Sequence, residues 1–472
     1  MCVRLVICLL VCAVLRPNVL TAAPRAWTDR EGRTIEAELL RADPLNVVIR
    51  RTDGREFTLA RTLLSAADQN FLDSIAVKPP AAPDWVAGLN EALGVTLFAD
   101  DQLWDDEPKV AAERLRLPPE SVTVGAESWR AYARPPLLVL DAPAYMLLLR
   151  SEEGRLTEFA MMFTNRGDAP AFAERTRRTP VSKAEVQTFQ EDLKRDFARL
   201  RAGLSDLLPK AESDPTPAQR RAYPGELAIF TAGEHELILQ ALPDQMLTLR
   251  IHPTERAAPP RLSDEQARQR MKARVKRRET GDVVIDRIPM VNQGPKGYCV
   301  PATFERMLRY AGIPADMYEL AAQGGTNFGG GTSVSGLVEA LGRTVRRAGR
   351  KLEEVKVEAP SALTLARYID EGRPVLWSLA STPEFNEFAN TYSAERPSDA
   401  AALKRWAAER KKPSAGLSRD PEAGHLCLII GYNKITGELA FSDSWGPKFA
   451  ERWLPGAAVQ QVSYGQLWVM GL

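Results

Sequence analysis

The chain has 472 residues, 44% of them hydrophobic and 26% charged, which is ordinary globular composition and enough polypeptide for two to four domains. A formal net charge of +1 gives no whole-chain attraction to nucleic acid or to an anionic membrane, so function has to come from a local site. With five cysteines and three histidines in all, any cysteine-histidine chemistry has a short list of candidates.

At the front, Arg4 precedes an apolar run from Leu5 to Leu15, the length of a signal-peptide core and too short to span a bilayer. Thr21, Ala22 and Ala23 offer small residues for cleavage, so residues 1–23 are read as a signal peptide and the protein as exported (periplasmic, cell-envelope or extracellular), with no membrane span after its removal. An uncleaved anchor is the alternative, since Arg16 and Pro17 interrupt the run. Cys2, Cys8 and Cys12 fall inside this leader, which leaves Cys299 and Cys427 and excludes a disulfide scaffold.

Residues 25–78 read as a small β meander closed by a helix. Alternating stretches near 33–39, 47–51 and 56–59 are punctuated by Gly32, Asp43-Pro44 and Asp53-Gly54, the last a hairpin signal. Ser65 stands where an N-cap would start a helix over 66–75, with Asp68 three residues on. The pattern Trp27-Thr-Asp-x-x-Gly32-Arg-Thr-Ile-Glu-Ala37, then Gly54-Arg-x-Phe57 and Leu64-Ser-x-x-Asp68, resembles the Sla-one homology domain. That resemblance implies a small SH3-like barrel with Trp27 and Phe57 in its core, a binding or spacer module that would touch protein or cell envelope.

Lys78-Pro-Pro-Ala-Ala-Pro83 is a stiff linker. Residues 85–256 mix helical stretches (109–115, 183–207) with strands (137–140, 146–150, 157–163, 246–251), an α+β domain whose role the sequence does not reveal. Arg166-Gly167-Asp168 follows Asn165 at a strand end and reads as a plain turn. Residues 257–284 form a basic connector, with Ser263 as a cap and seven basic residues between Arg268 and Arg278, read as a solvated linker helix.

The chemistry concentrates in residues 285–472. Val300, Phe304, Met307, Leu308 and Ala311 recur at helical spacing, which puts Cys299 in the first turn of a helix, where free N–H groups and the helix dipole favour thiolate. Gln293 precedes it by six residues across Gly294 and Gly297, so its amide and the Cys299 N–H can together bind an oxyanion. Gly297 and Tyr298 immediately precede the nucleophile as candidate substrate contacts, and Trp445 is another. Far downstream, Gly424-His425 opens a short apolar strand, and Asp443-Ser-Trp445-Gly ends the next one. Asp443 can accept the imidazole N–H and fix its tautomer, with Trp445 shielding the bond from water.

Gln293, Cys299, His425 and Asp443 stand in the order and local context of the papain-like superfamily, and the segment most resembles the C-thirty-nine-like peptidases related to bacteriocin-leader-processing enzymes. The resemblance implies a papain-like α+β fold and a thiol protease acting on peptide or protein. An Asp stands where papain-type enzymes place Asn, and no transporter domain accompanies the segment. The same residues would equally serve an acyltransferase or an amidase on cell-wall peptides, and a catalytically silent binding protein is a third reading.

His235 and His252 lie outside this domain and read as structural, and Cys427 as a core thiol. Thr326-Asn-Phe-Gly-Gly-Gly-Thr-Ser333 lacks the Gly-Lys-Ser/Thr ending of a phosphate loop and reads as a turn before a helix, with Gly330 a candidate groove residue. The polar stretch 381–422 reads as an insertion, either lid or surface excursion. No metal-ligand spacing is present and the chemistry calls for no cofactor.

Overall fold

Buried residues alternate along the first strands, and Trp27, Ala37, Leu39, Val47, Ile49, Leu64 and Leu72 gather into one small core. The computed structural model describes residues 24–471 except 43–45, 76–82, 124, 169–180, 209, 256–262, 295–296, 329–330 and 411–415. The expected signal peptide, the Pro/Ala linker, Asp43-Pro44 and Gly330 therefore lie outside the described residues. The chain divides into two units, residues 1–82 and 83–472.

In the first unit, strands Arg25–Thr28, Thr34–Ala42, Asn46–Arg51 and Glu56–Ala60 pair antiparallel in sequence order, followed by the helix Ala66–Ile75. The closed barrel implied by the resemblance is not formed among the described residues: this is an open meander, and Phe57 is only partly buried. Closure would need a ladder between the first and last strands. Instead, the Thr28 N–H donates to Asp68 Oδ2 at 2.7 Å and the Thr28 carbonyl accepts from Ser65 N at 2.8 Å, so the start of the helix occupies that edge.

In the second unit, a seven-stranded antiparallel sheet runs in the order Pro119–Val122, Ala126–Val139, Ala142–Glu152, Arg155–Asn165, Met246–Pro253, His235–Leu242, Glu226–Ala232. Its strands read as nearly continuous apolar runs because both faces are covered. Leu147, Leu149, Phe159 and Met161 pack under the helices Asp84–Leu93 and Lys183–Leu207. Their neighbours Met146, Leu148, Ala160 and Met162 point the other way, onto Tyr298, Ala302, Met317 and Tyr318 of the C-terminal part. The 85–256 segment is thus half of a continuous packing unit rather than a tethered neighbour.

The C-terminal sheet has eight strands. Gly424–Asn433 is its hub, pairing with Val375–Ala380, Asp282–Ile285 and Glu438–Ser442, and Glu438–Ser442 pairs in turn with Arg452–Pro455. The sheet starts earlier than the sequence suggested. The expected basic linker helix ends at Ala273, and Val275–Arg277 turns back through Gly281 to pair with Asp282–Ile285. Its arginines have fixed partners, Arg277 at Asp370 and Arg278 at Glu451.

The described residues of the 381–422 insertion are packed onto the domain rather than forming a loose excursion. They fold into helices Pro383–Glu395 and Ala400–Glu409, and Arg396 at the end of the first is buried between Asp282 and Glu438 at 2.6 and 3.0 Å, stacked on Trp453. Among the described residues no helix is long and apolar enough to cross a membrane, and no His/Cys/Asp/Glu cluster could hold a metal.

Candidate active site

The helix Cys299–Tyr310 begins at the cysteine itself, and its N-cap Tyr298 places no side chain on the first-turn N–H groups. Those donors and the positive end of the helix dipole therefore face the thiol. The helix lies against the hub strand, with Thr303 Oγ1 donating to the Leu426 carbonyl at 3.0 Å. That contact brings Cys299 next to His425, the second residue of the strand, and the two side chains share a hydrogen bond. The hairpin return to Ser442 delivers Asp443 to the far side of the ring, where His425 Nε2 stands 2.5 Å from Asp443 Oδ1. With Nε2 donating to Asp443, Nδ1 is left for the thiol.

Cys299 is 5% exposed, His425 9% and Gln293 8%, while Asp443 is fully buried. A ligand would therefore meet only the tips of the first three. Gln293 is fixed at both backbone and side chain: its N–H donates to the Ser444 carbonyl at 2.8 Å and its Oε1 accepts from Ser444 Oγ at 2.7 Å. Holding the amide by its oxygen leaves Nε2 as the available donor. The Trp445 ring lies 4.9 Å from the imidazole at a tilt of 32°.

Burial by itself would depress the His425 pKa, but the Asp443 carboxylate and the hydrogen bond with Cys299 outweigh it and push the value up to about 10. Burial works to raise Asp443, and His425 and Arg452 overcome it, so the carboxylate is held below its ordinary range. Both directions favour the imidazolium–carboxylate form of the pair.

Two residues that the sequence did not flag complete the surroundings. Arg452 pairs through Nη2 with Asp443 Oδ2, donates to Asn390 Oδ1 at 3.0 Å, and packs 4.5 Å above the Phe441 ring. Asp443 is thus shared by two cations. Arg306, fully buried two turns along the Cys299 helix, donates from Nε to the Pro289 carbonyl at 2.8 Å and from Nη2 to Ser442 Oγ at 2.5 Å. It ties that helix to the segments that carry Gln293 and Asp443, and burial lowers its pKa to about 10. An arginine inside an otherwise apolar strand or on the core face of a helix was the only signal for either.

The remaining expected residues fare differently. Gly297 lies on the loop at φ +41°, its carbonyl accepting from Gly331 N at 3.1 Å. Tyr298 is a correction: it is completely buried against Tyr318 and the seven-stranded sheet, so it cannot line a substrate groove. Cys427 is a buried thiol whose pKa is pushed up by burial and by Asp443, in keeping with a core role. His235 sits among Trp85, Phe98 and Trp104 with Nε2 3.0 Å from the Asp101 carbonyl, and His252 lies between Thr157 and Tyr223, both remote from Cys299 in the sheet of residues 119–253.

Residues 285–467 match the model of the Peptidase_C39 like family. Among solved structures, the peptidase domain of Streptococcus ComA, a bi-functional ABC transporter involved in a quorum sensing pathway, is similar at 16% identity over 39% of this chain and 96% of that one, with a TM-score of 0.25. No curated protein sequence matches the chain.

Proposed function

We propose that residues 285–472 form a cysteine peptidase in which Cys299 is the nucleophile, His425 its proton partner, Asp443 the group that orients the ring, and Gln293 with the Cys299 N–H the oxyanion hole. The observation that carries this reading is that His425 is hydrogen-bonded to both Cys299 and Asp443. The thiolate attacks the carbonyl carbon, and the developing oxyanion is met by Gln293 Nε2 and the backbone N–H. The imidazolium hands its proton to the leaving amine. Water, deprotonated by the neutral ring, then hydrolyses the acyl-enzyme and restores the thiolate. Polypeptide as substrate is supported by the family match of residues 285–467.

Because families of this kind include inactive members, the deciding experiment reads chemistry at the residue. After incubation with an electrophilic peptide probe, mass spectrometry should find modification at Cys299, not at Cys427, and none in His425→Ala. Full activity of Cys299→Ala on every substrate that the wild type cleaves would sink the reading. Export is part of the same proposal and rests on residues 1–23. N-terminal sequencing of the protein recovered outside the cytoplasm should begin after Ala22 or Ala23. For residues 25–78, contact with protein or cell envelope is likewise a proposal, to be tested by pull-down with residues 24–82 deleted.

A further inference from the structure

The loop that carries Gln293 is held from two sides, by its own domain and by the seven-stranded sheet. Within residues 290–298 two glycines take left-handed conformations, Gly294 at φ +75° and Gly297 at φ +41°. Such a loop has many alternatives in isolation. Gln293 can act on an oxyanion only if its Nε2 is held within a few tenths of an ångström of one position.

On one side Ser444 grips Gln293 through both its backbone carbonyl and its hydroxyl. On the other, Asn292 is pinned at both ends of its backbone: its N–H donates to Glu120 Oε1 at 2.7 Å, and its carbonyl accepts from Tyr132 OH at 2.7 Å. Two residues earlier, the Met290 N–H donates to Ser121 Oγ at 3.0 Å. Glu120 is itself fixed, with Arg130 Nε at 2.7 Å on the same oxygen and Ser128 Oγ at 2.9 Å on the other, all three residues being buried. The Tyr132 ring also closes over the loop: a Cβ on Gly294 would lie 2.8 Å from its Cζ, so only glycine fits beneath it. The loop's far end is clamped too, since Tyr298 OH lies so close to Gly167 that a Cβ there would meet it at 2.2 Å.

We infer that Glu120 and Tyr132 are positioning residues for the reaction: the sheet of residues 119–253 holds the Asn292 peptide so that the Gln293 amide is aimed at the oxyanion. This rests on the peptidase reading, and it gives residues 85–256 a part in the chemistry. The middle segment neither touches substrate nor moves a proton in this scheme. It fixes the donor that does.

The test uses the full chain and two probes that differ in one respect. Hydrolysis of p-nitrophenyl acetate through Cys299 passes through an oxyanion, whereas alkylation of Cys299 by iodoacetamide does not. Tyr132→Phe, which deletes the hydroxyl and keeps the ring, should slow ester turnover in kcat by roughly 2–10-fold, the loss of one hydrogen bond, and leave the alkylation rate unchanged. Glu120→Gln should show the same split, and Tyr132→Trp, which cannot lie over Gly294 without moving it, a larger one. If both rates stay at wild-type values in Tyr132→Phe, or both fall together, the positioning role is overturned. Failure of the parent reading looks different: wild type and Cys299→Ala would then hydrolyse the ester equally, and the positioning role would fall with it.

Discussion

Asp443 serves two cations, and replacing it separates its role in chemistry from its role in folding. In Asp443→Asn the carboxylate between His425 and Arg452 is lost, while Arg452, 3% exposed, remains in place. A buried charge left without its partner costs about 3–5 kcal/mol. The 83–472 unit is larger than the roughly 150–250 residues for which each kcal/mol moves the midpoint by about 2–4 °C, so thermal unfolding should drop by roughly 5 °C. The double variant Asp443→Asn/Arg452→Met removes both charges and should recover most of that loss, since replacing a whole buried pair is often close to neutral. Catalysis should not recover, because the amide that replaces the carboxylate can still accept the His425 N–H but lacks the negative charge that holds the ring as imidazolium, in either protein. A fall of roughly 10–100-fold in kcat/KM is expected in both, the loss of one charge-assisted hydrogen bond. Calorimetry reads the first quantity, and the rate of Cys299 alkylation by iodoacetamide at pH 6 follows the thiolate without any knowledge of the substrate. A double variant that regains activity along with its unfolding temperature would reduce Asp443 to a structural partner of Arg452 and refute the assignment.

The raised His425 pKa makes a second prediction with a definite sign. Its folded value of about 10 lies above its ordinary 6.5, so its contribution to stability is complete below about pH 6.5 and is lost as pH rises through about 10. The gap in unfolding temperature between wild type and His425→Ala should shrink across that window, and the alkaline limb of activity should fall near its upper end; a gap that widens with pH would contradict the charge assignment. Arg150 lies across the junction of the sheet with the Cys299 helix, pairing with Glu158 at 2.8 Å and with the fully buried Glu305 at 2.9 Å. Arg150→Met should destabilise the 83–472 unit by about 3–5 kcal/mol in chemical denaturation, with little relief from added salt because the pair is buried. Cys427→Ala should leave Cys299 alkylation and ester turnover at wild-type rates while costing about 1 kcal/mol of stability for the small cavity, and a large loss of activity would make that thiol part of the reaction rather than of the core.

What the sequence disclosed about this site follows from how local each feature is. Cys299 at a helix start, His425 at a strand entrance and Asp443 after the hairpin are positions that periodicity and turn residues define within a dozen residues, and the structure brings all three side chains together. Gln293 was recognisable by its spacing from Cys299, but the groups that hold it were not. Ser444, Glu120 and Tyr132 reach it only through tertiary pairing across separations of 151, 172 and 160 residues, the latter two by way of Asn292. Tyr298 illustrates the same limit from the other direction. Its position beside the nucleophile suggested a groove, yet its side chain is buried on a sheet whose second apolar face needed a cover. That face was already written in the strands, since Met146 through Leu149 and Phe159 through Met162 are apolar without alternation, the mark of a sheet buried on both sides. The helices of residues 84–93 and 183–207 cover only one of those faces, and the C-terminal domain fills the other.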